Sequence, residues 1–215
     1  MRGRIVSEGI RFAANVASEP SGVVALWKIV TGGKVAGSLS PSPVPELLHA
    51  AGLLPVVIEA PEDLSRLSGR IDAWVLQGDP PGFPIPDGGA PRFTLPATLP
   101  ENGEEALDRI EALAEWAGTV SGSPISEGAL WKSLRAYATR RTLLAALDQR
   151  RAREPAFVTP EERGDIVRAG NFLPPDAHSR LLASILGIEY EPASVPAGGE
   201  RGDPLLVLAR RIANR

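Results

Sequence analysis

Along the first hundred residues apolar positions come in short runs separated by turn residues; beyond residue 100 they recur at every third and fourth position. Ile10, Phe12, Ala13 and Val16, then Val24, Leu26, Trp27 and Val30, predict helix over residues 5–30, interrupted at Ser18 to Gly22 and stopped by Gly32 and Gly33. Lys34 to Gly37 reads as a short strand. Pro45 suits a first helical position, where an amide hydrogen would lack a partner anyway. Leu47, Leu48 and Ala51 follow with helical spacing, and Gly52 ends that helix. Leu54 to Ile58 is a largely apolar run with β-branched residues, as expected of a strand buried on both faces. A short helix over Pro61 to Ser68 and a strand over Ile71 to Leu76 complete the alternation, which predicts a parallel sheet with right-handed crossovers.

The proline- and glycine-rich stretch from Asp79 to Gly89 cannot sustain a regular ladder and reads as a loop, after which Arg92 to Pro96 returns as an edge strand. The rest is helical. Ala106, Ile110, Leu113 and Ala117 share a face, and Ser126 caps a long helix with Leu130, Leu134, Tyr137, Leu144 and Leu147 inward. Thr159 to Glu162 has the form of a capping box with proline in the first turn. Further helices are expected from Pro175 to about Leu186, ending at Gly187, and from Pro204, with Leu205, Leu208 and Ile212 apolar; residues 191–202 read as a loop. The fold class is therefore α/β, with a parallel Rossmann-like or flavodoxin-like sheet in the first half and a mainly helical second half. The corresponding units are an α/β domain with an N-terminal helix over residues 1–100 and a helical region packed on it over 101–215.

Composition narrows the function classes. The chain has 215 residues, 43% of them hydrophobic, enough for a substantial core. Its net charge of −3 argues against nucleic acid or an anionic membrane as principal partner. With no cysteine there is no disulfide, no thiolate nucleophile and no cysteine-ligated metal centre. No apolar run reaches the length of a membrane span. Met1 to Arg4 lead into mixed polar sequence without the apolar stretch of a leader, so a cytoplasmic location is expected.

The stretch from Gly37 to Val56 carries the most specific signal. Gly37, Glu46, His49, Ala50 and Gly52 fall, without a gap, on positions of the opening motif of the 2-hydroxyacyl-CoA dehydratase / benzoyl-CoA reductase family, which the chain resembles. That alignment puts Ser40 where the family has a cysteine that holds an iron–sulfur cluster. Ile71 to Leu76 resembles the family strand that precedes a Cys-Asp pair; the pair falls on Gly78 and Asp79 or, with a small gap, on Pro80 and Pro81. Agreement continues through the helical region, though less specifically, and the family's second α/β domain corresponds here only to residues 187–202. The resemblance implies Ser38, Ser42, Glu46, His49, Gly78 and Asp79 as candidate ligand or substrate contacts. The family's CoA thioesters make Arg140 and Arg141 candidates for phosphate. No metal site and no cofactor is expected.

Each candidate has a plainer reading. Ser40 lacks the surrounding Gly-x-Ser-x-Gly pattern of a hydrolase elbow, since residues 38 and 42 are both serine, so it reads as a loop or capping residue. His49 reads as covering a helix edge and His178 as solvated near a helix start. Glu62 and Asp63 suit the electropositive end of a helix. The arginines at 140, 141, 150, 151 and 153 read as a solvated helix face with cations near its C-terminus.

The resemblance leads to a cluster-lacking relative of the dehydratase and reductase subunits, acting as a non-catalytic or accessory subunit beside a paralogue. The alternative is a stand-alone acyl-CoA-binding protein or a redox-free enzyme acting on a CoA thioester; an unrelated hydrolase is weaker still. As an isolated chain it is not expected to be an enzyme. Self-association or pairing is expected through apolar surface left on the helices at 104–117, 126–150 and 203–214.

Overall fold

The computed structural model describes residues 2–40, 44–78, 89–100, 102–192 and 204–213. Two helices, α1 (Arg2–Ser18) and α2 (Pro20–Thr31), precede an alternating unit of β1 (Lys34–Ser38), α3 (Pro45–Ala50), β2 (Leu53–Val57), α4 (Pro61–Leu67), β3 (Ala73–Gln77) and β4 (Arg92–Leu95). Five helices follow: α5 (Gly103–Ser121), α6 (Glu127–Arg153), α7 (Pro160–Ala169), α8 (Pro175–Leu186) and α9 (Pro204–Ala213).

The strands form one parallel sheet in the order β2-β1-β3-β4. β1 pairs along its whole length with β2, Lys34 opposite Leu53 and Ser38 opposite Val57. On its other side it meets β3 at Ala36–Ala73 and Gly37–Trp74. Gly37 is glycine for a packing reason: a Cβ there would lie 2.8 Å from the Trp74 ring. The chain runs from β1 to one edge and then returns past β1 to β3, so the strand order reverses between β1 and β3. In open α/β sheets the crevice beyond the carboxyl ends at such a reversal is where ligands bind.

Alternate residues of each strand feed two cores, because side chains of a strand point to opposite faces. Val35, Leu54, Val56 and Trp74 join α1, α2, α4, α7 and α8 on one face. Ala36, Leu53, Ala73, Val75 and Leu95 join α3, α5 and α9 on the other. The long helix α6 serves both, Leu143 and Leu147 in the first core and Leu130 and Leu134 in the second. It thereby fastens the helical half to the sheet.

Local signals set the helix ends. The Ser126 hydroxyl accepts from the Ala129 amide at 3.2 Å, and Thr159 and Glu162 make the reciprocal capping bonds at 3.2 and 2.8 Å. Asn102 caps α5, and Gly122, at φ 90°, stops it. The expected apolar surface is met in part. None of the large apolar side chains of α5 and α6 is exposed, and those exposed among the described residues include Leu26, Ile29 and Val30 on α2, and Phe12 on α1. A cavity of about 480 Å³ lined by Ala114, Ile125, Leu208 and Ile212 nevertheless stays open between α5 and α9. The apolar face of α5 is covered in part by α9. No helix among the described residues is long and apolar enough to cross a membrane.

Candidate functional site

The carboxyl end of β1 leads through Leu39 and Ser40 into α3, and α6 lies along α3. Ser38 is buried; its hydroxyl donates to the Val56 carbonyl at 3.4 Å and its carbonyl accepts from the Ile58 amide at 2.8 Å. Both groups are spent on holding β1 to β2. Ser40 is half-buried in the bend after β1. Gly78, at φ 61°, closes β3 by donating to the Leu95 carbonyl at 3.0 Å. Ser42 and Asp79 lie outside the described residues.

Glu46, in the first turn of α3, points its carboxylate into the α3–α6 seam, where its side chain keeps 8% exposure. Arg141 Nη1 donates to it at 2.8 Å from the solvent side. The Glu46 carbonyl accepts from the Ser133 hydroxyl at 2.7 Å, and Ser133 Oγ lies 2.9 Å from His49 Nδ1. A hydroxyl has one hydrogen to give. Because Ser133 gives it to the carbonyl, its oxygen accepts from His49, so His49 carries its hydrogen on Nδ1 and a lone pair on Nε2. Burial holds the His49 imidazole below its ordinary pKa, against the pull of Asp176. Its ring meets Tyr137 edge to face at 5.9 Å between centroids.

Tyr137 and Arg140 continue the network along α6. Burial pushes the Tyr137 phenol far up, so it stays neutral. The Arg140 guanidinium lies 4.8 Å from the centre of that ring and donates to the Gly170 carbonyl at 3.1 Å. Gly170 has no room for a side chain, since a Cβ would stand 2.5 Å from the His178 ring. His178, expected in solvent, is 1% exposed; its Nε2 lies 2.8 Å from the Ile166 carbonyl, and its Nδ1 has no partner. The helix start is turned inward because α8 packs against both α1 and α6.

The structure thus brings Glu46, His49, Arg140 and Arg141 into one seam and leaves Gly78 with the β3–β4 edge. Arg140 is committed to Tyr137 and Gly170, and Arg141 to Glu46. Arg150, expected on a solvated face, stacks on Phe157 at 3.7 Å and donates to the Leu186 carbonyl. Asp63 is fully buried and both its oxygens accept from Arg168 at 2.8 Å, so it does more than face the end of α4. Ser133, the pivot of the network, carried no sequence signal beyond one polar residue on an otherwise inward face.

The arrangement is ill suited to nucleophilic catalysis. The Ser133 proton points away from His49, and Ser133 is 1% exposed, so neither activation nor access is provided. Nor do the residues fit an iron–sulfur cluster. The chain offers no thiolate, and among the described residues no three His, Asp or Glu side chains converge to hold a metal.

A concave feature adjoins the seam. Lys132 and Arg135 of α6 and Arg180 of α8 line a cleft of about 380 Å³ with Asp176 and Tyr190. No protein-family model and no curated protein matches the chain.

Proposed function

We propose that this chain is a non-catalytic, accessory subunit related to the 2-hydroxyacyl-CoA dehydratase and benzoyl-CoA reductase subunits. The single observation that carries the reading is the replacement at Ser40. The residue sits in the bend leaving β1, beside the strand-order reversal, where the resemblance expects the cluster's thiolate, and the whole chain has no cysteine to substitute. A serine hydroxyl is a hard, protonated donor and a poor substitute for a thiolate on iron. The neighbouring polar groups support the same reading, since Glu46, Arg141, Ser133 and His49 are engaged with one another.

Anaerobic reconstitution with iron and sulfide tests this directly. The isolated chain is expected to retain no stoichiometric iron, to show no charge-transfer absorption in the visible, and to dehydrate no 2-hydroxyacyl-CoA when supplied with an electron donor. Stoichiometric iron and sulfide together with turnover would overturn the reading.

A second reading, a stand-alone protein that binds a CoA thioester, is favoured by one feature alone: the cationic cleft between α6 and α8, whose charges suit a phosphate-bearing ligand.

A further inference from the structure

The α6–α8 cleft adjoins the seam around Glu46, since Asp176 and Lys132 of its lining both act on the His49 imidazole, but its cations are a separate set from those of the seam. Lys132 and Arg135 are three residues apart on α6, which puts them on one face of the helix. Arg180 approaches from α8, so the three cations converge on a concavity from two helices instead of lining one solvated stripe. All three are exposed, and among the described residues none of them forms an ion pair. The one acid in the lining, Asp176, accepts from the Tyr190 hydroxyl at 3.3 Å, and the Arg180 guanidinium lies 5.6 Å from the Tyr190 ring centre. Three positive charges against one negative leave the cleft cationic on a chain whose net charge is −3. Asp176 offsets only part of that like charge, and an anion relieves the remaining repulsion.

We propose that this cleft binds a small phosphorylated molecule of the diphosphate class, with the phosphates on Arg135, Arg180 and Lys132 and the organic part toward Ala136 and Tyr190. Guanidinium groups take phosphate oxygens in pairs, which two arginines facing from different helices can do on adjacent phosphates. The volume of about 380 Å³ lies in the range of small-ligand pockets and exceeds what a single orthophosphate fills. The site goes beyond the accessory-subunit reading and does not require it: iron content tests that reading, whereas direct titration tests this one.

Isothermal titration of the full chain with ADP, pyrophosphate and orthophosphate is the experiment. ADP and pyrophosphate are expected to bind saturably, orthophosphate about tenfold or more weakly, and affinity to fall as salt is raised from about 50 to about 200 mM. The exposed double substitution Arg135→Ala/Arg180→Ala is expected to weaken ADP binding by about tenfold or more while the chain stays folded, with an unchanged far-ultraviolet circular dichroism spectrum. Arg11→Ala, on α1, is expected to leave the affinity as it was. Saturation by neither ADP nor pyrophosphate at millimolar concentration, undiminished affinity in the double variant, or tighter binding of a short oligonucleotide than of ADP would each overturn the proposal.

Discussion

His178 sits in the first turn of α8, where its neighbours Asp176 and Arg180 suggest solvent, yet it is buried: α1 and α6 pack on α8, and the imidazole lies against the Ile166 carbonyl of α7. Burial, helped by the Arg140 charge, pushes its imidazole down to about 4 from an ordinary 6.5. The unfolded chain therefore takes up this proton first as pH falls. The stability due to neutral His178 is complete above about pH 6.5 and is lost as pH falls through about 4, a total of roughly 3 kcal/mol. Urea unfolding of the native chain and of His178→Gln checks this. Between pH 7 and about pH 4.5 the native chain is predicted to lose about 2.5 kcal/mol more than the variant; equal losses would contradict it. Roles of single residues were only partly legible in the sequence. Caps were readable because their partners lie within three residues, as for Thr159 and Glu162. Ser133 and His178 were not, because their partners at Glu46, His49 and Ile166 are supplied by other elements.

Elements were more legible than residues, since hydrophobic period and glycine or proline punctuation act locally. The strands at 34–38, 53–57 and 73–77 and the long capped helix α6 lie where apolar spacing puts them. How the elements lock together depends on pairs far apart in sequence. Asp63 of α4 accepts both its bonds from Arg168 of α7, which also donates to the Ala17 carbonyl in α1 at 3.1 Å. With Asp63 at 0% exposure, Arg168→Ala strands a buried carboxylate and is predicted to cost about 3 kcal/mol. Adding Asp63→Asn removes that charge, so the double variant is expected to regain about 1 kcal/mol or more over Arg168→Ala. Denaturant midpoints with unchanged slopes would report this. A double variant no more stable than the single one would show that the pair does not act by neutralising buried charge.

At the scale of the molecule, the alternation of strands and helices was enough to predict a parallel sheet followed by a helical half, and the order β2-β1-β3-β4 has that form. What local pattern could not convey is which surfaces the helices cover. Some apolar exposure is expected on α5 and α6; α6 is covered by α8, α3 and α9 and α5 in part by α9, which leaves an apolar-lined cavity at Ala114, Ile125, Leu208 and Ile212. The exposed large apolar side chains include Leu26, Ile29 and Val30 on α2. Under the proposed accessory role, the exposed side chains of α2 are the expected contact. The proposed accessory role requires the protein to work within an assembly and not alone. The most direct measurement is capture of the tagged protein under anaerobic conditions from the cells that naturally make it, with the mass and composition of the purified species determined. The account predicts a complex containing, in fixed stoichiometry, a cysteine-bearing protein of the dehydratase and reductase family with bound iron. A single species with the mass of one chain at about 10 µM or above, with no partner in stoichiometric amount, would contradict it.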